Sequence, residues 1–60
     1  MNLEDLLGRL VRYKGEEGRI VEGHSGEQAS VVVSVSPRSG VPRHVVTVPE
    51  SEWEKIELLD

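Results

Sequence analysis

The sequence lacks cysteine and phenylalanine, and its aromatic side chains are one tyrosine and one tryptophan. Without cysteine the chain forms no disulfide bond. Histidine is present only as His24 and His44, so we expect neither a metal site nor a cofactor. A chain of 60 residues is near the lower size limit for independent folding, and stabilisation by homo-oligomerisation remains open.

Long apolar runs are also missing. No run approaches the roughly 20 residues that a membrane-spanning helix needs. The N-terminus begins with acidic, helix-forming residues, whereas a signal peptide has a basic and then an apolar stretch. We therefore predict a soluble, cytoplasmic protein without membrane contacts.

The excess of acidic charge belongs to the end of the chain. Residues 1–49 contain six basic and six acidic side chains, whereas residues 50–60 contain five acidic side chains and Lys55. The whole net charge of −4 therefore comes from the last eleven residues. An acidic chain is a poor ligand for nucleic acid, because Lys and Arg contacts to phosphate supply most of that affinity. A local basic face is still compatible with this composition.

Valine is the most abundant residue, with ten copies, and this favours β-strands. The chain is organised around residues 10–22, where two apolar runs flank Gly15 and Gly18 and predict a tight β-hairpin. We predict five strands, at residues 9–13, 19–22, 29–36, 43–48 and 54–58. The adjacent Ile20 and Val21 indicate a bulge or strong twist. Pro42 predicts that the strand after it lies at an edge or a bulge.

The strand predicted at residues 29–36 has the clearest pattern. Val31, Val33 and Val35 alternate with more polar positions, as in a strand with one buried face. Val32 interrupts the polar side, either without consequence or as one point of a partner surface.

Two short helical segments are expected. In residues 1–8, Asn2 is the predicted N-cap, one face carries three leucines, and Gly8 ends the helix. These leucines are Leu3, Leu6 and Leu7. They form either a lid over the sheet or a hydrophobic contact for a partner.

Residues 49–53 predict a single helical turn, since Pro49 suits a first turn and Ser51 with Glu54 matches a capping box. In the strand after it, Ile56 and Leu58 are predicted to face inward. Trp53 is expected to plug the end of a barrel, and the alternative is an aromatic platform for a ligand.

These elements predict one mainly β domain, residues 1–60, in which residues 9–58 form a small five-stranded SH3-like barrel. A short helical turn precedes the barrel at residues 1–8, and another precedes the last strand.

The segment Lys14-Gly15-Glu16-Glu17-Gly18-Arg19-Ile20 resembles the Lys-Gly-x-x-Gly-x-Val core of KOW-type SH3-like domains. Such domains occur in ribosomal proteins and transcription elongation factors. The match covers seven residues, and the Gly-containing turn that usually precedes Lys-Gly is missing. The resemblance implies association with RNA or RNA polymerase through loops and edge strands.

Three classes of function follow. We expect a non-catalytic interaction module that binds a protein or itself, because a small barrel offers edges and loops and no deep pocket. The alternative is a KOW-like module that binds nucleic acid weakly or associates with the ribosome or RNA polymerase. An enzyme is not expected, because no nucleophile is paired with a base. The candidate binding residues are basic or aromatic: Arg12, Lys14, Arg19, Arg38, Arg43, Tyr13 and Trp53.

Overall fold

A single five-stranded antiparallel sheet forms the molecule in the computed structural model, which describes residues 3–60. The elements in chain order are α1 (Leu3–Leu6), β1 (Leu10–Tyr13), β2 (Glu16–His24), β3 (Ser30–Val35), β4 (His44–Pro49), a 3₁₀ helix (Glu50–Lys55) and β5 (Glu57–Leu58). The strand order is β4-β3-β2-β1-β5. The predicted mainly β class, the five strands and the two short helical segments are confirmed.

The hairpin between β1 and β2 turns on two residues. Lys14 and Gly15 have φ values of 51° and 79°, and Tyr13 pairs with Glu16 across the turn. A two-residue turn of this kind needs positive φ at both central positions, and glycine adopts it without penalty. The predicted second strand was placed too late, since β2 begins at Glu16 and not at residue 19.

Gly18 lies inside β2, so the prediction that the hairpin turn contains both Gly15 and Gly18 is wrong for Gly18. A Cβ at this position would contact the Ser34 carbonyl oxygen and lie 2.8 Å from Val35 Cα. Such distances are shorter than van der Waals contact, so only glycine allows β3 to approach β2 this closely. The glycine serves packing between strands.

A β-bulge interrupts β2, as the adjacent Ile20 and Val21 predicted. Ile20 pairs with Val33 and Glu22 pairs with Val32, so Val21 has no partner in the ladder. Ile20 is buried whereas Val21 is half exposed. The extra residue also reverses the alternation after it, which turns Gly23 toward α1, where an added Cβ would lie 3.3 Å from a Leu3 methyl group.

The hydrophobic core lies on the inner face of the sheet. Val31, Val33 and Val35 are almost completely buried, which confirms the predicted alternation in β3. The rest of the core comes from the other strands and α1: Leu6, Val11, Tyr13, Ile20 and Val48. Four half-buried side chains pack against this core: Leu3, Val46, Trp53 and Ile56.

The α1 segment covers one end of this core. Leu6 is 3% exposed, whereas Leu7 is 49% exposed, so the three leucines do not share a buried face as predicted. Gly8 ends the segment with φ of 82°, as predicted. The proposed N-cap, Asn2, lies outside the described residues.

The segment after β4 differs from the sequence-based prediction in two ways. The 3₁₀ helix begins at Glu50 with Pro49 as its N-cap and no side-chain capping bond, so the Ser51–Glu54 capping box is wrong. Ser51 lies inside the helix, where its hydroxyl cannot cap the first turn. The last strand begins at Glu57 and not at residue 54, and Leu58 is 42% exposed where an inward side chain was expected.

The two edges of the sheet are β4 and β5, and no ladder joins them within residues 3–60. The edge position of β4 agrees with the prediction from Pro42. The described residues also include no helix that is long and apolar enough to cross a bilayer.

Candidate functional site

The five basic residues predicted to form a binding face lie in two places. Arg12 and Arg19 are exposed on the outer face of the first hairpin, and Arg43, the residue before β4, reaches the same face. Lys14 lies in the hairpin turn, and Arg38 lines a shallow cleft beside Gly15. The structure thus brings three of the five together and leaves two at the end of the sheet.

Arg12 is held by two carboxylates. Its guanidinium contacts Glu17 Oε1 at 2.9 Å and Glu57 Oε2 at 3.0 Å, because Arg12 is the cross-strand partner of both residues. The hydrogen bond that Arg12 donates to Glu17 and the charge of Glu57 raise the pKa of Arg12 above its ordinary value. A phosphate would have to displace these carboxylates, so Arg12 is a weak contact for nucleic acid.

Arg19 and Arg43 lie on either side of Ser34. Arg19 pairs with Ser34 across the β2–β3 ladder and donates to the Gly8 carbonyl at 2.9 Å. Arg43 donates to Ser34 Oγ at 3.3 Å. Both guanidiniums bond to neutral oxygens, and neither forms an ion pair with any of residues 3–60. These two charges are the ones best placed to meet an anion.

The two aromatic candidates are mainly structural. Tyr13 is 7% exposed, and Lys14 Nζ lies 5.4 Å from the centre of its ring. Trp53 is half buried against the core and donates from Nε1 to the Val48 carbonyl at 3.0 Å. Little of the tyrosine ring is left for stacking on a base.

His44 makes a polar link across the sheet that the sequence did not reveal. Its Nε2 lies 2.8 Å from Glu16 Oε2, and its Nδ1 lies 3.0 Å from the Pro42 carbonyl. Both neighbours accept hydrogen bonds, so they favour the doubly protonated ring. The Pro42 carbonyl, followed by Glu16, raises the pKa of His44 above its ordinary value.

No metal-binding constellation is found in residues 3–60. This part of the chain contains no group of three His, Cys, Asp or Glu side chains that could hold an ion. The most apolar depression in its surface lies among Tyr13, Val33, Val35 and Val46. Lys14 and Glu16 also line it, and Glu16 already contacts His44.

β4 is one of the two edge strands of the sheet. This strand of six residues has β3 on one side and, within residues 3–60, no strand on the other. Val45, its second residue, is 64% exposed, more than any other large apolar side chain of the described residues. The sequence alone contains no signal that singles out Val45. The combination of a bare backbone edge and an exposed valine is typical of strands that pair with another chain.

No protein-family model, no curated protein and no solved structure matches the chain. Its function is therefore inferred from its own geometry.

Proposed function

We propose that this chain is a small, non-catalytic protein-interaction module that pairs a partner strand along β4. The observation that carries the proposal is the free β4 edge with the exposed Val45 on it. Backbone hydrogen bonds along such an edge supply affinity, and side chains on alternate positions supply specificity. The rest of the sheet acts as a rigid support for this edge.

The rigidity of the sheet that carries the β4 edge depends on how the sheet is closed. We propose that the strands curl into an SH3-like barrel in which the 3₁₀ helix, rather than a ladder, spans the gap between β4 and β5. Trp53 and Ile56 pack against the common core from this segment, and the Trp53 bond to Val48 ties it to β4. Nuclear Overhauser contacts from the Trp53 and Ile56 side chains to Val48 and Val11 would test this closure.

Position-specific photocrosslinking in cells tests the interaction role. A photoreactive phenylalanine analogue replaces Val45 in one variant and Val21 in the control. Val21 is also an exposed valine, at 51%, but it lies on β2, away from the free edge. We expect discrete protein adducts from position 45 that are absent from position 21, with the partner peptides identified by mass spectrometry. Equal labelling from both positions, or none, would contradict the proposal.

A second candidate function is weak binding of nucleic acid, which the KOW resemblance implies. The observation that favours it is the pair Arg19 and Arg43 beside Ser34, whose charges are not neutralised by a carboxylate. Association with a ribosome or an RNA polymerase would use the same face. Its test is a titration with an RNA oligonucleotide at two salt concentrations.

A further inference from the structure

The hydrogen-bond pattern of the sheet identifies which backbone groups of β4 are free. The Glu50 amide donates to the Ala29 carbonyl at 3.0 Å, and the β3–β4 register continues from Ser30–Pro49 to Val35–His44. In an antiparallel ladder the hydrogen-bonded pairs alternate with pairs whose amides and carbonyls point away. Residues 44, 46 and 48 therefore bond to β3, whereas the backbone groups of Val45, Thr47 and Pro49 face the open edge.

The position of Pro49 agrees with this pattern. Proline has no amide hydrogen, and in sheets it is found where that hydrogen would point to solvent. The open edge consequently presents the amides of Val45 and Thr47 and the carbonyls of Val45, Thr47 and Pro49. These donors and acceptors are free to form hydrogen bonds with a second strand.

We infer that this second strand is β4 of another copy of the chain, paired antiparallel about a two-fold axis through Val46. The inference rests on the proposed function and names its partner. In this register Val45 of each copy lies opposite Thr47 of the other, and each such pair exchanges two hydrogen bonds. The two-fold axis makes the edge complementary to itself.

The side chains and charges also suit this partner. Arg43 of each copy lies opposite Pro49 of the other, one residue from Glu50. Both charged side chains are exposed, so a positive and a negative charge lie near the same end of the paired strands. The exposed Val45 is covered by Thr47 of the second copy, and β-branched neighbours of this kind stabilise antiparallel pairs.

Neighbouring registers are less favourable. A two-fold axis through Thr47 would place Arg43 opposite Ser51, which lies in the 3₁₀ helix and cannot extend a ladder. An axis through Val45 would use residues before β4, because Pro49 would then lie opposite Val41. With the axis through Val46, the free backbone groups of Val45, Thr47 and Pro49 all lie in the paired segment. Arg43 is then the one residue outside β4 that takes part.

Sedimentation equilibrium tests the assembly, at concentrations up to about 1 mM so that a weak dimer is populated. Wild type and the control Val21→Lys should both dimerise. Val45→Lys should raise the dissociation constant at least about tenfold, because a charge on an edge strand opposes pairing. Circular dichroism checks that each variant is folded. A dimer that survives Val45→Lys would overturn the β4 interface.

A wild-type monomer at every concentration would overturn the inference but leave the proposed function to the crosslinking experiment, where adducts with a different protein would still support it. Amide exchange on unmodified protein gives a second measurement. The Val45 and Thr47 amides should become more protected as concentration rises, while protection of the Val46 amide, already bonded to β3, stays constant. Protection that is independent of concentration would contradict the pairing.

Engineered cysteines test the register, because the chain has none of its own. Across the proposed axis the two Val46 Cα atoms would lie about 4.5 Å apart, within the range that a disulfide spans. Val46→Cys should therefore form a covalent dimer under mild oxidation, faster than the control Thr47→Cys. Faster crosslinking of Thr47→Cys would show a different register.

Discussion

At the scale of single residues, the fold restricts the residue type most strongly at Gly18, because two strands approach closely there. Gly18 is buried, and any Cβ there would contact the Ser34 carbonyl oxygen and Val35 Cα. Both are backbone atoms, so neither can rotate aside as the end of a side chain would. The space at this position is fixed by the β2–β3 ladder itself.

We expect Gly18→Ala to lower the free energy of unfolding by about 1–3 kcal/mol or more, as overpacking of a core typically does. The matched control is Gly15→Ala, where φ is 79° but nothing lies within 4 Å of the added carbon. The strain of positive φ at that position should cost about 1–2 kcal/mol. Urea denaturation measures both, and a Gly18→Ala variant as stable as wild type would contradict the close approach.

The His44 link predicts a pH dependence of stability. Because its pKa is raised in the folded state, its contribution is fully present below the unfolded pKa of about 6.5 and is lost as pH rises through the folded pKa. Asp60 and Glu52 act in the opposite direction, since their pKa values are lowered and their contributions are lost only in acid. The two effects therefore occupy separate pH ranges.

Titration of the His44 ring by nuclear magnetic resonance measures this shift. We expect a pKa above the ordinary value in wild type and a smaller elevation in Glu16→Gln, because the Pro42 carbonyl remains in place. The loss of stability above neutral pH should weaken in the same variant. An unchanged His44 pKa in Glu16→Gln would show that the ion pair contributes nothing.

At the scale of elements, Trp53 fastens the 3₁₀ helix to the sheet. Its ring is half buried against the core, and its indole donates to the Val48 carbonyl. A buried tryptophan replaced by alanine costs about 3–5 kcal/mol. A chain of this length has a total stability of about 3–9 kcal/mol, so the helix and the sheet depend on each other.

Trp53→Ala should therefore be largely unfolded or strongly destabilised, toward the lower end of that cost because the ring is only half buried. Trp53→Phe keeps most of the contact area and loses the indole bond, and should cost about 0.5–1.5 kcal/mol beyond any repacking. Thermal unfolding followed by circular dichroism separates the two. A Trp53→Ala variant that melts within a few degrees of wild type and loses a partner would identify Trp53 as a recognition residue.

Local patterns predicted these elements well where one periodicity dominated. The alternation of Val31, Val33 and Val35 gave the buried face of β3, and the adjacent Ile20 and Val21 indicated the bulge. The capping box failed because Pro49 starts the helix earlier than Ser51 could cap it. The pattern at the end of the chain overstated β5, since Leu58 pairs only with β1 and has no strand beyond it.

The contacts of the candidate site could not be predicted from local sequence patterns. His44 and Glu16 are 28 residues apart in the sequence, and Arg12 and Glu57 are 45 residues apart. Neither contact can be predicted without the order of the strands in the sheet. The exposure of Val45 likewise depends on β4 being an edge. Pro42 predicted that β4 lies at an edge or a bulge. The strand order of the sheet was needed to identify the free backbone groups.

At the scale of the whole molecule, charge limits what the outer face can bind. The net charge is −4, and Arg12 is already paired with Glu17 and Glu57. Only Arg19 and Arg43 on this face bond to neutral oxygens. Two phosphate contacts would give single-stranded nucleic acid a salt slope of about −1.4, so binding should fall roughly sevenfold between about 50 and 200 mM salt.

We therefore expect micromolar or weaker affinity for an RNA oligonucleotide, measured by fluorescence anisotropy at both salt concentrations. Arg19→Gln with Arg43→Gln should remove the binding, whereas Arg12→Gln should change it little. Nanomolar affinity at physiological salt would contradict this prediction and favour the KOW-like role.

The unequal edges of the sheet limit how large any assembly can grow. A fibre made by strand addition needs two long edges on every subunit, one to receive the previous subunit and one to receive the next. Here β4 has six residues, whereas β5 has only two, and Arg9 ties the chain beside it through Asp60 at 2.7 Å. Once β4 is occupied, little edge is left for a third subunit. If copies pair through β4 as inferred, the assembly would therefore end at two copies, and unlimited polymerisation would be avoided.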